Sequence, residues 1–103
     1  MPLETARHFP FRYNVILANA PRESGVYALF KDREPLYVEE ADSIYVGLLH
    51  YFEQGNGALP AERPTAFAFE TCTPERRKGR LVQSVFRLQP AHTERSESKA
   101  HEG

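Results

Sequence analysis

Residues 25–51, with the sequence GVYALFKDREPLYVEEADSIYVGLLHY, decide the fold of this chain. Two short segments within it, 26–30 and 36–39, are apolar and rich in β-branched and aromatic residues, which is typical of β-strands. The polar connection 31–35 ends in a proline, which lacks a backbone donor and interrupts regular pairing. The stretch therefore predicts a β-hairpin, and the residues that follow it predict a helix.

The register of this hairpin decides which side chains share a face. Pairing Phe30 with Glu34 around a three-residue loop, or with Leu36 around a five-residue loop, puts directly opposed odd-numbered residues on one face. Tyr27 and Tyr37 then lie together. A four-residue loop separates them, because a slip of one residue exchanges the faces of a strand. The shared face carries, in chain order, Tyr27, Leu29, Tyr37 and Glu39.

A helix is predicted after the hairpin, and the segment before the hairpin allows two interpretations. The helix after it begins at Asp42 or Ser43, either of which can cap it, and runs to about Phe52. Its apolar residues recur at helical spacing, at Ile44, Leu48, Leu49 and Phe52. Before the hairpin, residues 13–20 form either a short helix or an extended lead-in, which Pro21 ends.

One strand and one helix are predicted downstream. Residues 65–71, TAFAFET, alternate and predict a third strand with both phenylalanines on one face. The next helix is capped by Thr73, has Pro74 at its first position, and runs to about Leu88. Its predicted inward residues are Val82, Val85 and Phe86. The order β-β-α-β-α predicts an α+β fold, in which helices pack on a three-stranded, mainly antiparallel sheet.

Composition sets wider limits on the protein. At 103 residues the chain fits one domain, and its formal net charge of −1 gives no bulk attraction to nucleic acid or acidic membranes. We expect residues 1–93 to form the domain and 94–103 a flexible polar tail. Cys72 is the only cysteine, which excludes an internal disulfide. No signal peptide or apolar run of membrane-spanning length is evident, so a soluble, cytoplasmic protein without a membrane partner is expected.

Several motifs resemble those of the GIY-YIG nuclease superfamily. They are Gly25-Val26-Tyr27, then Leu36-Tyr37-Val38, then the helix start at 41–44, and finally an arginine-rich helix ending in Gln-Pro. The chain is most similar to small bacterial single-domain members related to the catalytic domain of excinuclease C. The resemblance covers about residues 12–93. It implies a DNA-repair-like origin, a three-stranded antiparallel sheet, and metal-dependent phosphodiester cleavage, usually with magnesium.

The resemblance also assigns site positions. Tyr27 and Tyr37 match the two motif tyrosines, one of which would help to activate the attacking water. His50, near the end of the helix after the hairpin, is either a further site position or a polar residue of the cap region. The glycine that ends the second motif is replaced by Glu39. The helix arginine that would stabilise phosphate charge falls at Gly47. The second change removes a cation with forked donors, on which the implied chemistry depends.

The implied metal ligand is changed as well. The glutamate that would bind the divalent cation falls within residues 81–83, which are Leu-Val-Gln and contain no carboxylate. Glu39 is either a substitute ligand beside the tyrosines or a solvent-facing carboxylate. Tyr27 and Tyr37 could equally be core residues of a strand. The sequence therefore predicts a degenerate copy of the site, in which magnesium is needed only if cleavage is retained.

Basic residues crowd the first two turns of the last helix. They either contact a nucleic-acid backbone or form a solvated helix face. These candidate contacts are Arg76, Arg77, Lys78 and Arg80.

Three functional hypotheses follow from these patterns. The first is a degenerate GIY-YIG domain without efficient cleavage, which acts as a nucleic-acid-binding or interaction module and would reach DNA through the last helix. The second is an active metal-dependent endonuclease with a site rebuilt around Glu39, Glu40 or Glu75. The third is a small interaction protein that reuses the scaffold and has no nucleic-acid role. The sequence leaves the oligomeric state open.

Overall fold

The computed structural model describes residues 2–53 and 63–91. The predicted polar tail, 94–103, lies outside the described residues. In chain order the elements are a 3-10 turn (Leu3–Thr5), β1 (Phe9–Pro10), α1 (Tyr13–Asn19), β2 (Gly25–Lys31), β3 (Glu34–Ala41), α2 (Ile44–Glu53), β4 (Ala66–Thr71) and α3 (Pro74–Leu88). No helix in these ranges is long and apolar enough to cross a membrane.

The α+β class and the antiparallel sheet are confirmed, but the predicted strand number is wrong. Within the described residues the sheet has four strands, in the order β1-β4-β2-β3, and every neighbouring pair is antiparallel. The additional strand, β1, pairs Phe9 with Phe67 and Pro10 with Ala66. A strand of two residues that includes a proline has no alternation that a sequence pattern can detect.

The register of the β2–β3 hairpin confirms the predicted shared face. Tyr27 lies opposite Glu39, and Leu29 lies opposite Tyr37. Because directly opposed residues in an antiparallel pair project to the same side, both tyrosines face one layer of the core.

The loop that closes this hairpin differs from both predicted lengths. Only Asp32 and Arg33 lie between the strands, and both adopt positive φ angles, 50° and 81°, as a tight two-residue turn requires. A register shift between Leu29 and Phe30 then pairs Phe30 with Pro35. This bulge accommodates one extra residue. The two-residue turn therefore gives the same register from Tyr27 to Leu29 that was predicted for a loop of three or five residues.

Two hydrophobic layers cover the two faces of the sheet. One is built by α1, α2 and the tyrosine face, and its largest members are Ile16, Tyr27, Tyr37, Leu48, Tyr51 and Phe67. The other lies under the 3-10 turn and α3, and its buried members are Leu3, Val26, Ala28, Phe30, Val38 and Ala68. Strand β2 is buried from residue 25 to residue 30 because it contributes alternate side chains to both layers.

Helix α3 has the predicted bounds but a different orientation. Thr73 occupies the predicted N-cap position and Pro74 is the first residue, but the Thr73 side chain makes no capping hydrogen bond to this helix. Val82 and Phe86 are 60% and 76% exposed, so their assignment to the inward face is wrong. The residues that face the sheet are Leu81, Ser84, Val85 and Leu88. The helix has two apolar rows, and the row at 81, 85 and 88 is the one that packs.

Gly25 begins the first motif because two strands meet there without room for a side chain. A Cβ on Gly25 would lie 2.2 Å from the carbonyl oxygen of Glu70, 2.7 Å from Cδ1 of Ile44 and 2.9 Å from Cα of Thr71. Two of these three atoms belong to the backbone of β4. The glycine therefore permits the close β2–β4 pairing on which the sheet depends.

We predict that Gly25→Ala destabilises the fold by about 3 kcal/mol, since overpacking of a rigid site cannot relax without moving β4. Gly79→Ala is the matched control, because a Cβ there meets nothing within 4 Å. Gly79→Ala should stabilise α3 by about 1 kcal/mol, because alanine has the higher helix propensity. Urea unfolding of both variants, at low micromolar concentration, measures the difference. Equal effects of the two substitutions would contradict the steric interpretation.

Candidate functional site

The two motif tyrosines and Glu39 meet at the centre of the tyrosine face. The Tyr37 hydroxyl donates a hydrogen bond to Oε2 of Glu39, with an O–O distance of 3.0 Å. The ring of Tyr51, from α2, lies 5.6 Å from the ring of Tyr37. Sequence reasoning missed Tyr51, although its spacing from Ile44 and Leu48 fits the buried stripe of α2. The structure therefore joins three tyrosines and one carboxylate in a single cluster.

Burial makes this cluster a poor source of a phenolate base. Tyr27 is 4% exposed and Tyr37 is 6% exposed. Burial, followed by the negative charge of Glu39 and the neighbouring phenols, raises the pKa of Tyr27 well above its ordinary value. At neutral pH the Tyr27 phenol therefore stays protonated.

Gly47 packs directly on the Tyr27 ring. A Cβ on Gly47 would lie 2.9 Å from Cε2 of Tyr27 and 3.2 Å from Cβ of Ala41. This is the position at which the family resemblance implies an arginine. Any side chain here must displace a buried aromatic ring. The contact explains why a glycine, which is unfavourable within a helix, occurs in α2.

His50 does not join the tyrosine cluster. Its side chain is exposed in the last turn of α2, while the adjacent Tyr51 is buried and faces the sheet. Successive residues of a helix point about 100° apart, so the two side chains diverge.

The side chains present do not fit the divalent cation that the resemblance implies. Across residues 2–53 and 63–91, no three His, Cys, Asp or Glu side chains are grouped so that they could hold a metal ion. Glu39 is the carboxylate beside the tyrosines, and it already accepts the Tyr37 hydroxyl. Leu81, in the segment assigned to the metal-binding glutamate, packs against the opposite layer of the core. Mg²⁺ is usually bound by one or two carboxylates, with water completing its shell. The segment that would supply the glutamate contains no carboxylate here, and Glu39 is engaged by Tyr37.

Arg77 is held by the end of the β2–β3 hairpin. Its Nε donates to Oε1 of Glu40 at 3.1 Å, and its Nη1 donates to Oδ1 of Asp42 at 2.7 Å. The same Nη1 also donates to Ser24 Oγ and to the carbonyl oxygen of Ala41, both at 3.2 Å. The guanidinium thus fixes the start of α3 to the sheet.

Arg80 makes a second attachment between α3 and the sheet. Its Nε donates to Oε2 of Glu70 at 2.8 Å, and its Nη2 donates to Oε1 of Glu70 at 3.0 Å. Nη2 is also 3.3 Å from Oε1 of Glu4. The side chain of Arg80 is only 15% exposed. This bidentate pair is a structural contact, and its charge is matched within the chain.

The two remaining basic candidates differ from each other. Lys78 is 77% exposed but donates to Oε2 of Glu40 at 3.1 Å. Arg76 is exposed and makes no ion pair with the described residues. Three of the four predicted nucleic-acid contacts are therefore already paired with carboxylates, whereas Arg76 has no carboxylate partner among residues 2–53 and 63–91.

Comparison with solved structures identifies the fold. Two structures of the GIY-YIG N-terminal endonuclease domain of UvrC from Thermotoga maritima superpose with a TM-score of 0.65 and 15% sequence identity. The match covers 80% of this chain and 98% of the bacterial domain. Both are tyrosine-to-phenylalanine point mutants bound to a catalytic divalent cation. No protein-family profile and no curated protein matches the sequence. The chain thus has the GIY-YIG endonuclease fold, as the sequence predicted.

The raised pKa of Tyr27 predicts a loss of stability at high pH. The pKa of the Tyr27 phenol is higher in the folded than in the unfolded state. Its contribution to the free energy of unfolding is therefore complete below about pH 10, the unfolded pKa, and falls as the pH rises further. Tyr27→Phe keeps the ring and removes the titrating group. Its urea midpoint should match the wild type at pH 7 and decline less between pH 9.5 and about 11. Parallel curves for the two proteins would show that Tyr27 ionises normally.

Proposed function

We propose that this chain is a degenerate GIY-YIG domain, which acts by binding and does not cleave phosphodiesters efficiently. The observation that carries the proposal is the contact between Gly47 and the Tyr27 ring. A Cβ 2.9 Å from that ring leaves no room for an arginine in the present packing. The Tyr27 ring thus occupies the space that an arginine side chain would need at position 47.

The chemistry of hydrolysis supports the same conclusion. Cleavage of a phosphodiester needs an activated oxygen and cationic stabilisation of the developing negative charge. Tyr27 is neutral and buried, and Arg77 and Arg80 are paired with carboxylates away from it. The loss of one electrostatic group commonly costs a hundredfold or more in rate. The absence of both the arginine and the metal ligand should lower the cleavage rate by several orders of magnitude.

An active nuclease with a rebuilt site is the second candidate, and one contact favours it. Glu39 accepts a hydrogen bond from Tyr37 and lies opposite Tyr27 in the sheet. A carboxylate beside two phenols could orient a water molecule. We rank this candidate lower because Glu39 is already engaged by the Tyr37 hydroxyl and position 47 offers no cation to stabilise phosphate charge.

A cleavage assay separates the two candidates. Supercoiled plasmid and branched DNA are incubated with the full chain and either magnesium or manganese. We expect nicking at least about a hundredfold below that of an active nuclease with the same fold. Gly47→Arg should not restore activity and should lower the melting temperature, because the new side chain displaces the Tyr27 ring. Metal-dependent nicking that Tyr27→Phe and Glu39→Gln both abolish would establish the rebuilt nuclease.

The ion pairs of α3 also predict how this protein responds to DNA. Four free cations on phosphates would give a slope of log K against log salt of about −3.6, whereas one gives about −0.9. We expect a slope near −1 for a fluorescent duplex, measured by anisotropy from 10 to 200 mM salt. Arg76→Gln should remove this binding, and Lys31→Gln, an exposed cation outside α3, should preserve it. A slope near −4 would contradict the paired state of Arg77 and Arg80. Absence of binding at 10 mM salt would leave a protein interaction role.

A further inference from the structure

Strand β4 has an outer edge that β1 covers only in part. β1 pairs with β4 at two positions, Phe9 with Phe67 and Pro10 with Ala66. The opposite side of β4 pairs with β2 along the whole strand. On the side of β1, residues 68–71 have no partner strand within the described parts of the chain. The last turn of this strand therefore leaves an open edge, to which a further strand could be added.

The hydrogen bonds with β2 show which backbone groups this edge exposes. The backbone N–H of Cys72 donates to the carbonyl oxygen of Ser24 at 2.9 Å, and Gly25 lies opposite Thr71. In an antiparallel pair, residues that exchange hydrogen bonds alternate with residues that do not. The backbone N–H and C=O groups of Phe69 and Thr71 therefore point away from β2. Across residues 2–53 and 63–91, no hydrogen-bond partner reaches these groups.

A cleft lies beside these groups because the chain before β1 diverges from the edge of β4. It leads to the 3-10 turn, where the backbone N–H of Leu3 donates to Oε1 of Glu70 at 2.8 Å. The cleft has a volume of about 280 Å³. Its lining residues are Ala6, Arg7, Phe9, Phe69, Glu70 and Thr71. Phe69 is half-buried and Thr71 is exposed, so the open edge is accessible from solvent.

The side chains of the cleft are apolar on one face and positively charged. The rings of Phe9 and Phe69 stack with their centroids 5.7 Å apart, and they lie on the tyrosine face of the sheet. The guanidinium of Arg7 lies 4.8 Å from the centroid of the Phe9 ring. Arg7 is exposed and makes no ion pair with the described residues. The carboxylate in the lining, Glu70, is instead bound by Arg80.

We propose that this cleft binds an extended peptide segment of a partner protein, which adds a strand to β4. The peptide residue opposite Phe69 exchanges both backbone hydrogen bonds with it and lies on the same face. An apolar side chain at this position packs on the rings of Phe9 and Phe69. A residue two positions away returns to that face, where a carboxylate pairs with Arg7. The partner segment thus carries an apolar and an acidic residue two positions apart.

The backbone groups favour a peptide over other occupants. Strand addition satisfies the N–H and the C=O of Phe69 together, whereas a nucleic-acid strand can stack on the rings but has no regular backbone donor for that carbonyl. In a second copy of this chain the same edge is bordered by residues 6–9, so two folded sheets would meet with both N-terminal segments between them. Residues 92–103 of this chain contain no Val, Leu, Ile, Met, Phe, Tyr or Trp to fill the apolar part.

A titration of the ¹⁵N-labelled full chain, followed by NMR, tests the proposal. The probe is a peptide with blocked ends and the sequence Ser-Glu-Thr-Phe-Thr-Glu-Ser, which reads the same in both strand directions. We expect saturable shifts of the Phe69 and Thr71 amide signals below about 2 mM peptide, and slower hydrogen exchange of both amides when the peptide is bound. The absence of saturable shifts up to that concentration would overturn the proposal. Shifts confined to α3 or to the hairpin would also overturn it.

A modified peptide tests the backbone hydrogen bonds without any change to the protein. Methylation of the backbone nitrogen of its phenylalanine keeps every side chain and removes the donor to the carbonyl oxygen of Phe69. We expect the affinity to fall about fivefold or more. Equal affinities of the two peptides would exclude strand addition. A ten-residue oligothymidine that shifts the Phe69 and Thr71 signals more strongly than the peptide would favour nucleic acid and overturn the proposal.

Two arginine variants test the charge of the cleft. Arg7→Gln should weaken peptide binding about threefold, as expected for one exposed ion pair. Arg22→Gln is the matched control, because Arg22 is also exposed and lies 4.0 Å from the centroid of the Tyr45 ring, but does not line the cleft. It should leave the affinity unchanged. Equal effects of the two variants, at unchanged melting temperatures, would contradict the assigned role of Arg7. These outcomes do not depend on whether the tyrosine cluster cleaves or binds DNA.

Discussion

The pairing of Tyr27 with Glu39 across the β2–β3 hairpin fixes the arrangement of the whole molecule. It places the tyrosines in the layer with α1 and α2, and it leaves the intervening residues of β2 for the layer under α3. A slip of one residue would exchange the two layers. The positive φ angles of Asp32 and Arg33, with the bulge beside Phe30, hold this register.

Much of this arrangement was readable from the sequence, because the deciding signals were local. The alternation of β2, β3 and β4, and the Thr73-Pro74 helix start, all depend on neighbouring residues. The sequence did not predict which face of α3 packs on the sheet, since both of its apolar rows have helical spacing. Contacts of Arg77 and Arg80 with distant carboxylates accompany the observed rotation, and no local pattern reveals such partners.

The candidate site, like the fold, was predicted only in part from the sequence. The residue types at Glu39 and Gly47 already indicated that a family glycine and a family arginine had been replaced. Only packing shows that Gly47 is in contact with the Tyr27 ring, and that Tyr37 donates to Glu39. Glu39 and Gly47 therefore belong to one packed and hydrogen-bonded cluster around the tyrosines, so a larger side chain at position 47 alone would disturb that packing.

The carboxylate of Glu70 has a consequence for cooperativity. It accepts hydrogen bonds from Arg80 in α3 and, at 2.8 Å, from the backbone N–H of Leu3 in the N-terminal turn. Leu3 is 67 residues from Glu70 and Arg80 is 10 residues from it, so two segments distant in sequence share one acceptor. When either segment detaches, the other loses part of its support, so the N-terminal turn and α3 should open as one unit. Amide hydrogen exchange would then show linked protection in two helical segments from opposite ends of the domain, and independent exchange would exclude this coupling.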